Sequence, residues 1–298
     1  MLLRKGNRMI AIQNENVLAK LGSIKKLLKK PLVSVVIAAH NEEKYISNAI
    51  ESLLKQTYEP REIIVANDAS TDKTPEIVKK YKRSGVKLFS NEKRGGPGSA
   101  YNLGWKNSRG QILMFFDSDH IYGENYITDL ITPILKDEDV CTMHNMEKIA
   151  NFNNIWARAF GKRITTKNGR GEIFTLIRRE VFERFGPFDP NFGYADDKTL
   201  FFNHGLTSFG VDTEIYHFNP DTFKAHWGHG KWVGRSNPRP FRTIAIFPVF
   251  PIYVAYKSVK QFVKDPYPPF IYFLPFYHTI KYFAYLAGAI QRLRGLRN

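Results

Sequence analysis

Residues 112–120 read Ile-Leu-Met-Phe-Phe-Asp-Ser-Asp-His, five apolar residues running straight into two carboxylates one residue apart. An unbroken apolar run of strand length suits a sheet covered on both faces, and ligands of such sheets collect at the carboxyl ends of the strands. In an extended segment, side chains i and i+2 point the same way. Asp117 and Asp119 can therefore face one divalent cation, which neutralises a substrate diphosphate, while Ser118 points away. Taken alone, Asp-Ser-Asp reads equally well as an ordinary turn after a strand. The rest of the chain decides.

Upstream, three further strands alternate with helices. Leu32–Ala39 is a β-branched run bounded by Pro31 and the polar His40-Asn41-Glu42. Ile46, Ala49, Ile50, Leu53 and Leu54 give a helix face, and Glu62–Ala66 a second strand ending in Asn67-Asp68-Ala69-Ser70-Thr71-Asp72. Thr74-Pro75-Glu76 opens the next helix, with proline at its first position. Val86–Ser90 is a third strand, followed by Lys93-Arg94-Gly95-Gly96-Pro97-Gly98 and a helix through Tyr101–Lys106. This β-α-β-α-β-α-β pattern, polar at each strand end, predicts an α/β fold with a doubly wound, mainly parallel sheet. The second half alternates less cleanly. Strands are predicted at Val140–Met146, Glu172–Ile177 and Thr213–Phe218, helices at Arg179–Phe185 and from Tyr194-Ala195-Asp196-Asp197 towards Phe209, and irregular chain over residues 151–170.

The net charge of +16 is carried by the ends of the chain. Residues 1–31 contribute +7 and residues 231–298 contribute +10, whereas residues 32–230 have 25 basic and 26 acidic side chains. Three segments follow: a basic amphipathic helix within 1–30, an electrically near-neutral central domain over 31–230, and a basic aromatic region over 231–298. In the first, Val17, Leu21, Ile24 and Leu28 recur at helical spacing among lysines, which fits either a lipid surface or docking on the domain. In the last, Phe270–Ile290 approaches spanning length, but Pro275, His278 and Lys281 favour an interfacial segment, or a helix packed on protein, over a span. Basic residues mixed with Leu, Ile, Phe and Tyr suit an anionic membrane surface better than nucleic acid. A single cysteine, Cys141, excludes an internal disulfide, and the first apolar stretch is interrupted by Asn14, Glu15 and Asn16, unlike a secretory signal. A cytoplasmic protein peripheral to the inner face of the cell membrane is the expectation.

Pro31-Leu-Val-Ser-Val-Val-Ile with Asn41-Glu42, Ser52-Leu-Leu-Lys-Gln56, Glu62-Ile-Ile-Val-Ala-Asn-Asp-Ala-Ser-Thr-Asp72 and Asp117-Ser-Asp119, in that order, resemble the family 2 glycosyltransferases of the GT-A fold, a Rossmann-like architecture. The resemblance covers about residues 31–230. It implies a nucleotide-sugar pocket lined by Ala38, His40 and Glu42, with Asp68 accepting a hydrogen bond from the base of a UDP- or GDP-linked donor. Lys93 and Arg94 would flank base and diphosphate. Asp117 and Asp119 would handle ribose and a Mn2+ or Mg2+ ion, with Asp119 the direct ligand and His226 or His229 completing the metal site. Asp196-Asp197 stands where the family usually has Glu-Asp, so Asp197 is the implied general base and the acceptor-contacting side chain at 196 is one methylene shorter. One base and one displacement imply inversion. The Gln-x-x-Arg-Trp pattern of processive members is missing, which implies one sugar per encounter.

The chemistry of the residues agrees with these roles. Displacing a nucleoside diphosphate builds negative charge on the leaving group, a task for a carboxylate-held divalent metal, while a separate carboxylate takes the proton of the acceptor hydroxyl. The expected acceptor is a hydroxyl of a glycan or lipid-linked molecule. Two other readings stand beside it: transfer to a polyprenyl phosphate, which needs little from Asp197, and a non-catalytic membrane or nucleic-acid adaptor on a transferase scaffold. Asp68 and Asp72 also read as caps of βα loops, and His226 as a structural hydrogen-bonder. Trp227 and Trp232 read either as contacts to a sugar or lipid or as core.

Overall fold

The apolar runs of the first half become adjacent strands of one sheet. Val33–Ala39 (β1), Ile46–Leu54 (α1), Arg61–Asn67 (β2), Thr74–Lys80 (α2), Lys87–Ser90 (β3), Pro97–Lys106 (α3) and Ile112–Asp117 (β4) follow one another as the pattern predicts. The four strands lie parallel in the order β3-β2-β1-β4. Their register sets Ala39 against Asn67 and Ala38 against Asp117, so the polar strand ends lie level along one edge. Helix α1 buries Ile46, Ala49, Ile50 and Leu53 in a core with Val35, Ile37, Met114 and Phe116. The opposite face of the sheet packs Val36, Ala66 and Phe115 against Ala100, Tyr101 and Phe182. Burial on both faces explains the missing apolar–polar alternation in these strands.

The computed structural model describes residues 3–4, 9–10, 27, 29–236 and 247–294. Val17, Leu21, Ile24 and Leu28, the apolar face expected of an N-terminal helix, lie outside the described residues.

Beyond β4 come His120–Tyr122 (β5), Tyr126–Leu135 (α4), Cys141–His144 (β6), Met146–Ile149 (β7), Ile155–Phe160 (α5), Arg163–Ile164 (β8), Thr166–Lys167 (β9), Arg170–Gly171 (β10), Leu176–Arg178 (β11) and Arg179–Phe185 (α6). A 3-10 segment over Pro190–Lys198 leads to Thr199–His204 (α7), Ser208–Val211 (β12), Ile215–His217 (β13), Phe223–Ser236 (α8), Phe250–Lys264 (α9) and Phe270–Leu293 (α10). The large sheet continues through β11, antiparallel between β4 and β6, to a nine-stranded order β9-β10-β12-β6-β11-β4-β1-β2-β3. Only β10 and β11 run against the rest, so the fold is a mixed, mainly parallel α/β sheet. A second sheet, β8-β7-β13-β5, stands beside the end of β4.

Local expectations are corrected at four places. The stretch 151–170, expected to be irregular, holds helix α5 and strands β8 and β9, and the strand expected over Glu172–Ile177 is only Leu176–Arg178, β11. The strand predicted over Val140–Met146 breaks at Asn145: β6 stays in the large sheet and β7 joins the small one. Asn145 uses both backbone groups at the switch, its N–H donating to Val211 and its carbonyl accepting from Thr165. The helix predicted from Tyr194 towards Phe209 begins as a 3-10 segment and ends at His204, where Gly205 takes a left-handed φ of 68° as C-cap and the chain turns into β12.

The chain divides into two compact units, residues 1–150 with 162–217, and residues 151–161 with 218–298. The second unit is helical. In it α8 and α10 pack so closely that a Cβ on Gly230, Gly234 or Gly288 would strike the facing helix. Arg158 of α5 makes a bidentate bridge to Asp265, with Nε donating at 2.7 Å and Nη2 at 2.6 Å. No helix among the described residues is long and apolar enough to cross a membrane. Helix α10 instead buries one side, including Leu274, Tyr277, Ala284 and Ala289.

Candidate active site

The level strand ends of the first unit gather the carboxylates. Asp117 is the last residue of β4 and is exposed; Ser118 and Asp119 form the turn into β5, Ser118 buried and Asp119 with 29 % of its side chain open, so the extended geometry expected across the pair stops at Asp117. The Asp117 carboxylate accepts from the Tyr101 hydroxyl of α3 at 2.6 Å, and its carbonyl accepts from Tyr122 at 2.8 Å. Glu42, after β1, belongs to the same cluster. Burial, then the charges of Asp119, Asp117 and Asp72, push its carboxyl up to about 9. This crowd of negative charge is what a bound cation would relieve.

Imidazoles meet Asp119 from the small sheet. Cross-strand pairing sets His217 of β13 directly opposite His120 of β5, with the rings stacked 4.5 Å apart. Asp119 Oδ1 lies 3.0 Å from His120 Nδ1, and Oδ2 lies 3.1 Å from His217 Nε2. The potential ligand atoms of these three residues all lie within 4.8 Å of one another, and among the described residues they form the cluster fit to hold a metal ion. Behind them, buried Glu147 of β7 stands 3.7 Å from His120, 3.8 Å from His217, 3.1 Å from His144 and 3.4 Å from Arg163. Burial alone would raise the Asp119 carboxyl, but His217 and His120 hold it well below the usual carboxylate range. Burial would lower His120; Asp119 and Glu147 outweigh it and raise the imidazole to about 10.

The glycine-rich loop is held by two aspartates. Asp68 is buried after β2, and its carboxylate accepts from Gly95 N–H at 2.9 Å, Gly96 N–H at 2.7 Å and Asn91 Nδ2 at 2.8 Å. Three donors occupy most of a carboxylate's acceptor capacity, so Asp68 anchors the loop. His40 Nδ1 donates to the Asp68 carbonyl at 2.8 Å, and Ala38 sits half-buried beside Asp117. Lys93 and Arg94 are exposed at the loop's tip. At the base of the loop, Gly98 N–H donates to Asp196 Oδ2 at 2.5 Å, and a Cβ there would lie 2.9 Å from that oxygen. A side chain at 98 would push Asp196 away.

Asp196 and Asp197 differ in their surroundings. Asp196 is buried; burial pushes its carboxyl up to about 8 against the pull of the Gly98 hydrogen bond. Asp197 has its Oδ1 buried without a hydrogen-bond partner, and burial, then the Asp117 charge, raises it to about 7. The segment carrying both is tied to α3 by Asn102, which donates to the Phe188 carbonyl at 2.7 Å and accepts from the Phe188 N–H at 3.1 Å. His226 and His229 lie on α8 in the second unit. His226 is buried against Trp156, Phe160 and Tyr277, and burial lowers its imidazole to about 4. His229 packs on Phe160 and Trp232.

His217, His120, Glu147 and Tyr101 are not singled out by sequence reasoning. A histidine inside the predicted strand Thr213–Phe218 is the one local signal for His217. Its pairing with β5 is tertiary.

Residues 34–195 match the sequence model of the family described as Glycosyl transferase family 2. The chain belongs to glycosyl transferase family 2. Family relatives include an uncharacterized glycosyltransferase of Rickettsia prowazekii, 30 % identical over 207 residues, 64 % of each chain. Another is the Escherichia coli UDP-Glc:alpha-D-GlcNAc-diphosphoundecaprenol beta-1,3-glucosyltransferase WfgD, 31 % identical over 175 residues, 57 % of this chain and 68 % of that protein. The chain thus spans just under two thirds of the Rickettsia relative's length. The same fold is found in the mannosyltransferase PcManGT of Pyrobaculum calidifontis in complex with GDP-Man and Mn2+, at TM-score 0.55 and 17 % identity over 94 % of this chain and 93 % of that one. S. aureus TarS 1–349 in complex with UDP-GlcNAc has it too, at TM-score 0.52 and 16 % identity over 88 % and 92 %.

Proposed function

We propose that this family 2 member is a metal-dependent, inverting glycosyltransferase that moves a single sugar from a UDP- or GDP-linked donor to a hydroxyl of a glycan or lipid-linked acceptor. The observation that carries the reading is Asp197. A buried, unpartnered carboxylate oxygen with its pKa raised to about 7, in the first unit with Asp117 and Asp119, is suited to taking a proton near neutral pH. An acceptor already ionised, such as a polyprenyl phosphate, would have no use for such a group, and a non-catalytic adaptor no reason to bury it.

The other residues take roles around that proton transfer. Asp119 and His217 hold the metal, with His217 in the part first expected of His226 or His229. One carboxylate with one or two imidazoles departs from the all-oxygen shell Mg2+ favours, which supports Mn2+. A bound divalent cation supplies Lewis-acid stabilisation of the departing diphosphate. Asp117, steadied by Tyr101, orients the donor's ribose, while Ala38, His40 and Glu42 line the nucleotide's side of the site. Asp68 acts through the loop, keeping the exposed Lys93 and Arg94 near base and diphosphate. Asp196 fixes Asp197 relative to α3, and inversion follows from one base acting in one displacement. The donors named in the related folds, UDP-GlcNAc and GDP-Man, and the undecaprenol-linked acceptor named for WfgD support these substrate classes. The excess charge of the two flanks supports a peripheral location at the inner face of the cell membrane.

The test is sugar transfer from UDP- and GDP-sugars to glycan and undecaprenol-linked acceptors, measured with Mn2+ across neutral pH. A base must be deprotonated to act, so the rate should climb about tenfold per pH unit below about 7 and level off above it. Transfer that ignores pH across this window would remove Asp197 as base, and no transfer from any donor would remove the enzyme reading.

A further inference from the structure

Helix α9 turns its apolar side outward. Its buried side consists of Val254 and Ser258, while Ile252, Tyr256, Val259 and Val263 are 71, 57, 64 and 74 % exposed. Their 4-3-4 spacing puts all four within roughly 60° of one another around the helix axis. Lys257, Lys260 and Lys264 follow on one flank, roughly 70–130° round from that row. Lys260 Nζ lies 3.1 Å from the Tyr256 hydroxyl and Lys257 Nζ stands over the Tyr253 ring at 5.5 Å, so these ammonium groups lie beside aromatic side chains of the same helix. No Asp or Glu occurs within Phe250–Lys264 or Phe270–Leu293, and Asp265 between them is taken by Arg158. Helix α10 adds Tyr272 and Phe276, 85 and 54 % exposed, one turn apart.

We infer that the outward face of α9 is a membrane-docking surface whose partner is an anionic lipid bilayer, with Ile252, Tyr256, Val259 and Val263 entering the headgroup–acyl boundary and Lys257, Lys260 and Lys264 meeting lipid phosphates. An exposed apolar row with a basic flank and no acids is the composition of a helix lying in the interface plane. Four large exposed apolar side chains in one row exceed the scattered exposure normal on a soluble surface. A second copy of the chain is disfavoured, because a two-fold contact would set uncompensated lysines against lysines. The inference rests on, and specifies, the peripheral location proposed above.

The experiment is co-sedimentation of the full chain with vesicles of phosphatidylcholine alone or with a third phosphatidylglycerol, with UDP and GDP calorimetry on the same preparations. Wild type should bind the anionic vesicles and scarcely the neutral ones. Ile252→Glu/Val263→Glu, at positions too exposed to unfold the helix, should lower vesicle partition at least about tenfold. Lys257→Gln/Lys260→Gln/Lys264→Gln should lower it by roughly fivefold per lysine. Nucleotide binding should be unchanged in both. Wild type that ignores vesicles, or variants that bind them as wild type does, would overturn the docking surface. So would an oligomer that both variants dissolve without any vesicle binding. Loss of nucleotide binding by wild type would count against the glycosyltransferase reading and leave the docking result standing.

Discussion

Two pairs of aspartates, Asp117/Asp119 at the end of β4 and Asp196/Asp197 in the 3-10 segment, look alike in sequence and are treated oppositely by the fold. Asp119 is set between His120 and His217 and held well below the usual carboxylate range. Asp196 and Asp197 receive a backbone N–H and nothing charged at ion-pair distance among the described residues, and burial lifts them to about 8 and about 7. The carboxyl beside the two imidazoles is held ionised by them, whereas at Asp197 burial and the Asp117 charge outweigh the opposing pull of Lys198 and Arg163. On the proposed roles, the two pairs are told apart by their partners, not by their residue type.

The largest expected effect comes from removing the proposed proton acceptor. Asp197→Asn keeps the shape and should cost about 10²–10⁴ in transfer rate while leaving donor binding intact, which steady-state kinetics and calorimetry separate. Weaker donor binding in this variant would blur the contrast between the pairs. Next is His217→Gln, expected to weaken Mn2+ binding about 10–100-fold in a direct metal titration. An unchanged affinity would remove His217 from the metal site and leave His120 as the imidazole partner of Asp119.

The smallest effect concerns stability. A carboxyl whose folded pKa is raised contributes stability fully present below its unfolded value and lost as pH rises through the folded one. For Asp196 that window runs from its ordinary 3.8 to about 8. Asp196→Asn should therefore raise the thermal midpoint by roughly 5 °C at alkaline pH and by little in mild acid. A gain of equal size at both ends would show that burial is not what strains this carboxylate.

Strand cores were legible because burial on both faces leaves an unbroken apolar run, as in β1, β2 and β4, and the strand-end carboxylates followed from them. Helix Arg179–Phe185 was legible for a related reason: Val181, Phe182 and Phe185 mark its buried face. Of the small sheet, β13 was legible within the expected strand Thr213–Phe218, but β5 and β7, three and four residues long, take their identity from pairing. That pairing brings His217 to Asp119 across 98 positions, a relation no local pattern carries. The histidines that the sequence does make conspicuous, in His226-Trp-Gly-His229, belong to a helix packed among aromatic rings. The saturation of Asp68 was equally hidden, because its donors are the backbone N–H groups of Gly95 and Gly96, which become a site only when the loop folds over β2.

The most direct measurement is calorimetric titration of UDP and GDP, with and without Mn2+, into wild type, Asp119→Ala and Asp197→Asn. The account predicts Mn2+-dependent binding of one nucleotide to wild type, its loss in Asp119→Ala and its retention in Asp197→Asn. Equal binding by all three proteins, or loss in both variants, would contradict the division of labour between the two pairs.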